Sequence, residues 1–219
     1  MEKTIRVTGK GTIKATPDTV VISLKIEGIC KEYNEIVELA SMELEYIKRV
    51  LEKQGFKKED LRTVDFDIYP RHESQKDKKG NYKSIFVGYG YERKMKLSFP
   101  KDNHRLGKIM VALSHCGVDP SISINYTISD TESLKNQILE KAIRDARQKA
   151  IALCRGAEVE LGEIVNIDYS FGTVFFETAP IEMGCLAEKS CSIGYEPDFD
   201  IEPDDISSSD NVTVIYRIK

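Results

Sequence analysis

The first motif that could carry chemistry is Gly9-Lys10-Gly11. Glycines beside a lysine occur in phosphate-binding loops, where the bare backbone approaches the phosphate and lysine offsets its charge. Such a loop needs further glycine and a helix N-terminus directly after it, whereas strand-forming residues follow here. The spacing therefore favours glycines in a β-bulge or between two short strands.

The histidines and cysteines are scattered along the chain without the spacing of metal ligands. His115 and Cys116 are neighbours at a predicted helix end, but adjacent helical residues point in different directions, which argues against a catalytic pair. His72 is expected in a solvated loop and His104 in the first turn of a helix. Five cysteines at irregular spacings indicate reduced, mostly structural thiols. We therefore expect no cofactor and no metal site.

Two charged segments have both a binding and a structural interpretation. The acidic stretch 198–205 could hold a cation weakly, but it lacks the glycine and the closing glutamate of a calcium loop, so a solvated segment is favoured. The cations of the third predicted helix could contact phosphate, but Glu140 and Asp145 dilute them and an exposed helix face is favoured. Those cations are Lys141, Arg144, Arg147 and Lys149.

Tyrosines near lysine and arginine offer one further binding interpretation. Tyr82, Tyr89 and Tyr91 could stack on RNA bases, although cross-strand pairs in a sheet explain them more simply. No Ser-His-Asp set, carboxylate pair or nucleotide fingerprint can be assembled from local sequence. The sequence therefore predicts a protein that is not an enzyme, and a site built from distant residues is the remaining enzymatic alternative.

Composition limits the class of protein. The 219 residues are 41% hydrophobic and carry a net charge of −4, as in an ordinary globular chain without a nucleic-acid partner. No run approaches the roughly 18 apolar residues of a membrane span. Residues 1–11 form a strand candidate rather than an apolar signal segment, and this predicts a cytoplasmic protein.

Helices are predicted where apolar residues recur every three or four positions. The first covers about 31–54, and the second starts at a cap provided by Asp102 or Asn103. The third opens at 129–132, which has the form of a capping box. It presents Ala142, Ala146 and Ala150 on one face, so it can lie unusually close to its packing partner.

Strands are predicted where apolar and polar residues alternate. The predicted strands are 19–27, 61–70 with Val64, Phe66 and Ile68 inward, 85–99, 121–129, about 164–171, and 212–218. The polar segment 71–84 is expected to connect a hairpin. Strand-helix-strand occurs twice, which is typical of split βαβ repeats. The fold class is therefore α+β, with mainly antiparallel sheets and helices layered on one side.

The long segment 172–210 does not follow either pattern. It is acidic in its second part, and connections of this length are functional, extended against a partner, or disordered. Phe175 and Phe176 lie in its first part, and a strand at a possible sheet edge follows. An apolar segment leaving the core favours burial on a second copy. Phe175, Phe176, Val212 and Val214 are therefore the candidate oligomer contacts, and Phe175→Asp with Phe176→Asp should lower the assembly state.

Several motifs in order resemble the SIMPL domain family, which includes bacterial periplasmic immunogenic proteins. They are Ile5 to Gly11 followed by Pro17-Asp18, Leu61-Arg62-Thr63, Gly88-Tyr89, the helix Ala142 to Ala150, Leu161-Gly162, and Val212 to Tyr216. The resemblance covers nearly the whole chain, and it implies one SIMPL-like domain over 1–219, with candidate sub-domains 1–100 and 101–219.

The resemblance implies an α+β protein without an established enzymatic activity. Some bacterial relatives are linked to oxidative-stress tolerance, and some form ring-like or channel-like oligomers. We therefore expect a non-enzymatic homo-oligomer, with a stress-related role as the implied process. The alternative is a protein that binds a small molecule or ion between the helix layer and the segment 172–210.

Overall fold

The computed structural model describes residues 3–76, 82–169, 174–183 and 201–219. Its elements are β1 (Thr4–Ala15), β2 (Thr19–Cys30), α1 (Tyr33–Lys53), β3 (Leu61–Lys76), β4 (Tyr82–Pro100), α2 (Asn103–Ser114), β5 (Ser121–Thr127), α3 (Thr131–Gly156), β6 (Leu161–Asp168), β7 (Ile181–Met183) and β8 (Ile206–Ile218). Two antiparallel sheets and three helices in this part of the chain confirm the predicted α+β class.

Contacts divide the chain into two compact units, each built from separated stretches. The first comprises Met1–Asp18, Thr127–Thr178 and Pro203–Lys219, and the second comprises Thr19–Tyr126 and Ala179–Glu202. The suggested boundary at residue 100 lies inside the second unit. The assignment of residues 1–219 to one domain stays a prediction.

The first unit is a three-stranded sheet covered by α3. Its strand order is β1-β8-β6, and β8 pairs antiparallel with both neighbours. Ala142, Ala146 and Ala150 of α3 are fully buried against this sheet, as the sequence predicted. They pack with apolar side chains of β1 and β8, namely Val7, Val212, Val214 and Tyr216.

The second unit contains the five-stranded sheet β3-β4-β2-β5-β7. The order β2-α1-β3-β4-α2-β5 along the chain confirms the predicted split βαβ repeats. Both helices pack on one face, because Val20, Ile22, Leu24 and Ile26 alternate with polar residues and are fully buried against them. The opposite face of the sheet carries serines, lysines and carboxylates.

The glycines of Gly9-Lys10-Gly11 lie in regular strand, not in a bulge or between two strands as predicted. β1 pairs with β8 without interruption through both of them. A Cβ on Gly9 would stand 2.0 Å from the Ala142 carbonyl oxygen, and one on Gly11 would stand 1.9 Å from that of Ile138. These glycines therefore admit the backbone of α3, so the alanine face and the glycine pair serve one close contact.

The prediction of one inner face for Val64, Phe66 and Ile68 is wrong. The register with β4 shifts between Thr63 and Asp65, so one extra residue enters β3. Such a bulge changes the face on which the following side chains lie. Val64 consequently lies with the polar face of the sheet and is 58% exposed. Most of the predicted polar connection 71–84 is also strand, since β3 and β4 pair as far as Lys76 and Tyr82.

The start of α3 differs from the predicted capping box. Asp130 is the N-cap, and its carboxylate accepts a hydrogen bond from the Ser133 amide at 3.0 Å. Ser129 instead binds Asp18 through its amide and its hydroxyl, at 2.8 and 2.6 Å. At α2 the cap is Asp102, one of the two predicted residues.

Each of the two described parts of the segment 172–210 contains strand. The first includes β7, which joins the five-stranded sheet, and the second includes the start of β8 at Ile206. The residues 184–200, which hold Cys185, Cys191 and the first three residues of the predicted acidic stretch 198–205, lie outside the described residues. The final strand does not lie at a sheet edge as expected, because β8 is central between β1 and β6.

Candidate binding surfaces

The edge of β1 that does not pair with β8 is covered by side chains of α3. The Asp145 carboxylate accepts a hydrogen bond from the Lys10 amide at 2.7 Å. The Lys149 ammonium donates to the Thr8 carbonyl at 3.1 Å, and Lys141 donates to Thr12 at 3.3 Å. Charged side chains on an edge strand hinder pairing with a further strand. This edge of the sheet is therefore closed by the chain itself.

The ion pair that closes the β1 edge also sets the acidity of Asp145. The hydrogen bond from Lys149, followed by that from the Lys10 amide, lowers the pKa of the Asp145 carboxyl below its ordinary value. This carboxylate stays ionised at neutral pH and holds both partners. Two of the cations assigned to an exposed helix face, Lys141 and Lys149, thus bind the backbone of β1.

The opposite edge strand, β6, carries apolar side chains that the described residues leave about half exposed. Ile164, Val165 and Ile167 are 49%, 45% and 46% exposed. Helix α3 packs mainly over β1 and β8, so β6 lies largely outside the area that the helix covers. The charged neighbours are neutralised, because Glu163 binds Arg217 at 2.7 Å and Asp168 binds Arg6 at 3.5 Å. An exposed apolar edge strand of this kind can pair with a strand of another chain.

A groove of about 640 Å³ lies on the polar face of the five-stranded sheet. Its lining includes Ser23, Lys25, Val64, Lys96, Ser121 and Glu182. This volume lies in the range of small-molecule pockets, roughly 300–1,000 Å³. The helices occupy the other face of the sheet, so the groove is not at the helix layer where the sequence led us to expect a pocket.

Both lysines in one row across this face, which is formed by Asp65, Lys94 and Lys25, are ion-paired, partly with carboxylates of the neighbouring row. Glu92 contacts both Lys25 and Lys94 at 2.9 Å. Asp65 adds a 3.4 Å contact to Lys94, and Glu27 adds a 3.1 Å contact to Lys25. Hydrogen bonds from Lys94 and then Lys25 lower the pKa of Glu92, and those to Glu92 raise the pKa of both lysines.

The next row has two cations and no carboxylate in ion-pair contact. Arg62 lies directly opposite Lys96 in the β3–β4 pairing, and Lys96 lies directly opposite Ser23 in the β2–β4 pairing. Within the described ranges, no acidic group is in ion-pair distance of either cation. Like charges directly opposite on a sheet are destabilising. The two rows are therefore neighbours on the sheet, but the lysines of the first are paired with carboxylates and the cations of the second are not.

A buried polar cluster lies under the helices of the second unit. The Tyr91 hydroxyl donates to Glu43, and burial followed by this hydrogen bond raises the pKa of Tyr91. Arg93 is 8% exposed, donates to the Ala40 carbonyl at 3.3 Å, and stacks on the Phe66 ring at 4.2 Å. Burial lowers the pKa of Arg93. This cluster contacts α1 through Glu43 and Ala40 and contacts the edge strand β3 through Phe66, and it therefore fixes α1 on the five-stranded sheet.

The other residues with predicted chemistry are not brought together. The His115 ring bonds the Val111 carbonyl at 2.8 Å and the Cys116 thiol donates to the Val118 carbonyl, so the two do not bond each other. Burial raises the pKa of the Cys116 thiol. His72 lies in strand and stacks on Phe86 at 5.6 Å. The described residues contain no group of three or more potential metal ligands.

The four candidate oligomer contacts lie in different surroundings. Phe175 is 73% exposed, whereas Phe176, Val212 and Val214 are buried within the first unit. Phe176 packs with Ile13, Ile128, Ile138 and Ile206. Of the four, Phe175 has its side chain free for a partner. No signal in the sequence distinguished β6 or the Arg62–Lys96 row, because both depend on strand order and register.

Comparison with known proteins identifies the family of this chain. A family model, SIMPL, described as a protein of unknown function (DUF541), matches residues 5–216. The chain belongs to the SIMPL family. The resemblance found in the ordered motifs is thereby confirmed, while the family itself carries no assigned activity.

Two curated relatives of the chain are 26 kDa periplasmic immunogenic proteins of Brucella. Identity is 25% to that of Brucella abortus (strain S19) and 24% to that of Brucella melitensis biotype 1, over 163 residues in each case. These matches cover 74% of this chain and 65% of each relative, less than two thirds of its length. Their names give a periplasmic location, so the predicted cytoplasmic location receives no support from them. Among the described helices, none is long and apolar enough to cross a membrane.

Proposed function

We propose that this SIMPL protein is a non-enzymatic protein that functions by self-association through the edge of β6. The observation that carries this proposal is the contrast between the two edges of one sheet. The β1 edge is blocked by Asp145, Lys141 and Lys149, whereas β6 has half-exposed isoleucines and a valine. An edge with apolar side chains offers backbone hydrogen bonds and apolar burial together.

The sequence of β6 suits pairing with a second copy of itself. In an antiparallel pair centred on Val165, Glu163 would lie opposite Ile167, and Ile164 would lie opposite Asn166. Like charges are then never directly opposite, so the pair avoids the repulsion that destabilises cross-strand neighbours. A two-fold contact of this kind uses the same patch on both copies.

The test uses charge at the centre of this pair. Val165→Lys and Val165→Glu should each shift the protein towards monomer, because two like charges meet across the two-fold axis. A one-to-one mixture of the two variants should recover association, because opposite charges then meet. Sedimentation velocity measures the mass of each sample.

A matched control distinguishes this contact from a general effect of a surface lysine. Val111 on α2 is 40% exposed, a fraction similar to the 45% of Val165, and it belongs to the other unit. Val111→Lys should keep the mass of the parent. If the mixture of lysine and glutamate variants stays monomeric while the parent associates, the contact is elsewhere and pairing of β6 is wrong.

A second candidate function is ligand binding, and the groove on the polar sheet face favours it. We propose that a small molecule or ion occupies this groove, and a rise in melting temperature across a metabolite panel would support it. The stress-related role implied by the resemblance also stays a proposal, tested by survival of a deletion strain in peroxide. Cell fractionation tests whether this chain shares the periplasmic location of its relatives.

A further inference from the structure

We propose that a phosphate group binds at the row formed by Arg62, Lys96 and Ser23, where the groove lined by Ser23 and Lys96 adjoins a second groove lined by Arg62 and Lys96. This inference rests on the second proposed function, ligand binding in the groove, and names the class of ligand. The observation behind it is a pair of like charges placed side by side on β3 and β4, with Ser23 next to them on β2 and no acidic partner among the described residues.

The neighbouring row shows how the same sheet neutralises lysines when no ligand is involved. Lys25 and Lys94 are each bound by two carboxylates at 2.9 to 3.4 Å. One row away, Arg62 and Lys96 face each other across a cross-strand pair, where repulsion opposes folding. A bound anion removes that repulsion, so the arrangement is stabilised by a ligand that this part of the chain does not supply.

The chemistry of the row matches a phosphate more closely than a neutral ligand. An arginine guanidinium donates two parallel hydrogen bonds to a phosphate or carboxylate, and lysine adds a compact second charge. The Ser23 hydroxyl supplies a further donor beside Lys96. Two cations and a hydroxyl together suit the double negative charge of a phosphate ester.

The carboxylates that line this region do not occupy the row. Glu182 lies opposite Ser123 on β5, three strand spacings from Lys96, which is about 14 Å. Glu59 and Asp60 line the second groove, of about 420 Å³, together with Arg62 and Lys96. The Asp60 carboxylate accepts a hydrogen bond from the Lys57 amide at 2.8 Å. None of these three carboxylates forms an ion pair with Arg62 or Lys96, so both cations remain available to an incoming anion.

The test measures binding of pyrophosphate to the purified full chain by calorimetry at constant ionic strength. The parent should bind, and Arg62→Gln or Lys96→Gln should each weaken binding by about tenfold or more, as expected for loss of one hydrogen bond to a charged group. Both side chains are exposed, so neither variant should unfold the protein. Circular dichroism confirms that the variants are folded.

Lys108→Gln is the matched control. Lys108 is exposed on α2, on the helix-covered face of the sheet, and its removal changes the net charge equally. It should leave the affinity for pyrophosphate within about twofold of the parent. An equal loss in this variant would show a general charge effect and overturn the proposal.

Further arms separate the sources of phosphate and the class of ligand. Vesicles of phosphatidylglycerol test a lipid headgroup, and vesicles of phosphatidylcholine serve as the comparison. Binding of either phosphate source that depends on Arg62 and Lys96 supports the proposal. Binding only to a long nucleic acid, or only to a neutral sugar from the metabolite panel, contradicts it. In the neutral-sugar case ligand binding in the groove stands and only the phosphate assignment fails.

Discussion

Replacement of Gly9 by alanine is predicted to destabilise the first unit through a contact between two backbones. The added Cβ would stand 2.0 Å from the Ala142 carbonyl oxygen and 2.4 Å from the Ala146 amide nitrogen. Ordinary contact begins near 3.4 Å, so α3 and β1 must separate locally by about 1.4 Å. Neither atom belongs to a flexible side chain, and repacking of rotamers therefore cannot relieve the overlap.

The expected loss comes from overpacking. Overpacking of a close-packed interface costs typically 1–3 kcal/mol, and the separation also weakens the hydrogen bond between the Lys10 amide and Asp145. We therefore expect the free energy of unfolding to fall by about 1–3 kcal/mol, a large part of the roughly 5–15 kcal/mol of a typical domain.

Urea unfolding followed by circular dichroism measures this change. Gly156→Ala is the control, because a Cβ there meets nothing within 4 Å and Gly156 lies in the last turn of α3. It should be neutral or stabilising by up to about 1 kcal/mol, since alanine favours helix more than glycine does. A loss below about 1 kcal/mol for Gly9→Ala would refute the reasoning that glycine is needed for the approach of α3.

Three further predictions concern single side chains. The hydrogen bond from Lys149 lowers the pKa of Asp145, so its contribution to stability is complete above the usual carboxyl pKa near 4 and is lost as pH falls through the lower folded value. Asp145→Asn should therefore flatten the acid limb of a plot of melting temperature against pH. Asp130→Ala removes the N-cap of α3 and should cost about 1 kcal/mol in urea unfolding. Phe176→Ala should cost about 3–5 kcal/mol because Phe176 is buried, whereas Phe175→Ala should stay within about 0.5 kcal/mol, so that any change in assembly of the Phe175 variant reports a partner contact.

The periodic parts of the fold could be predicted because burial follows local spacing. Val20, Ile22, Leu24 and Ile26 alternate in sequence and are fully buried on one face of β2. Helix α1 runs from Tyr33 to Lys53, close to the predicted 31–54. In both cases neighbours in the chain determine the outcome, so the sequence pattern is sufficient.

The errors arose where a residue's role depends on a distant partner. A single extra residue at Val64 changes the face of β3, and nothing in the alternation of residues 61–70 indicates it. Ser129 has the residue type and spacing of a cap, but Asp18, more than a hundred positions earlier, binds it instead. Gly9 fits a bulge locally, and only the packing of α3 shows why glycine is there.

The candidate surfaces were beyond sequence reasoning for the same reason. The row of Arg62, Lys96 and Ser23 requires the order of three strands and their register, which are products of the whole fold. To distinguish the open edge of β6 from the closed edge of β1, one must likewise know which strands lie at the edges of the sheet. Phe175 could be recognised as an apolar residue outside the periodic elements, and its exposure agrees with that recognition.

Hydrogen exchange of the backbone amides at low and high protein concentration tests the central proposal most directly. Self-association through β6 predicts that amides of residues 161–168 become more protected as concentration rises, while the β1 edge, already closed by α3, keeps the same protection. Unchanged exchange in β6 at a concentration where the mass shows an oligomer would contradict the proposal.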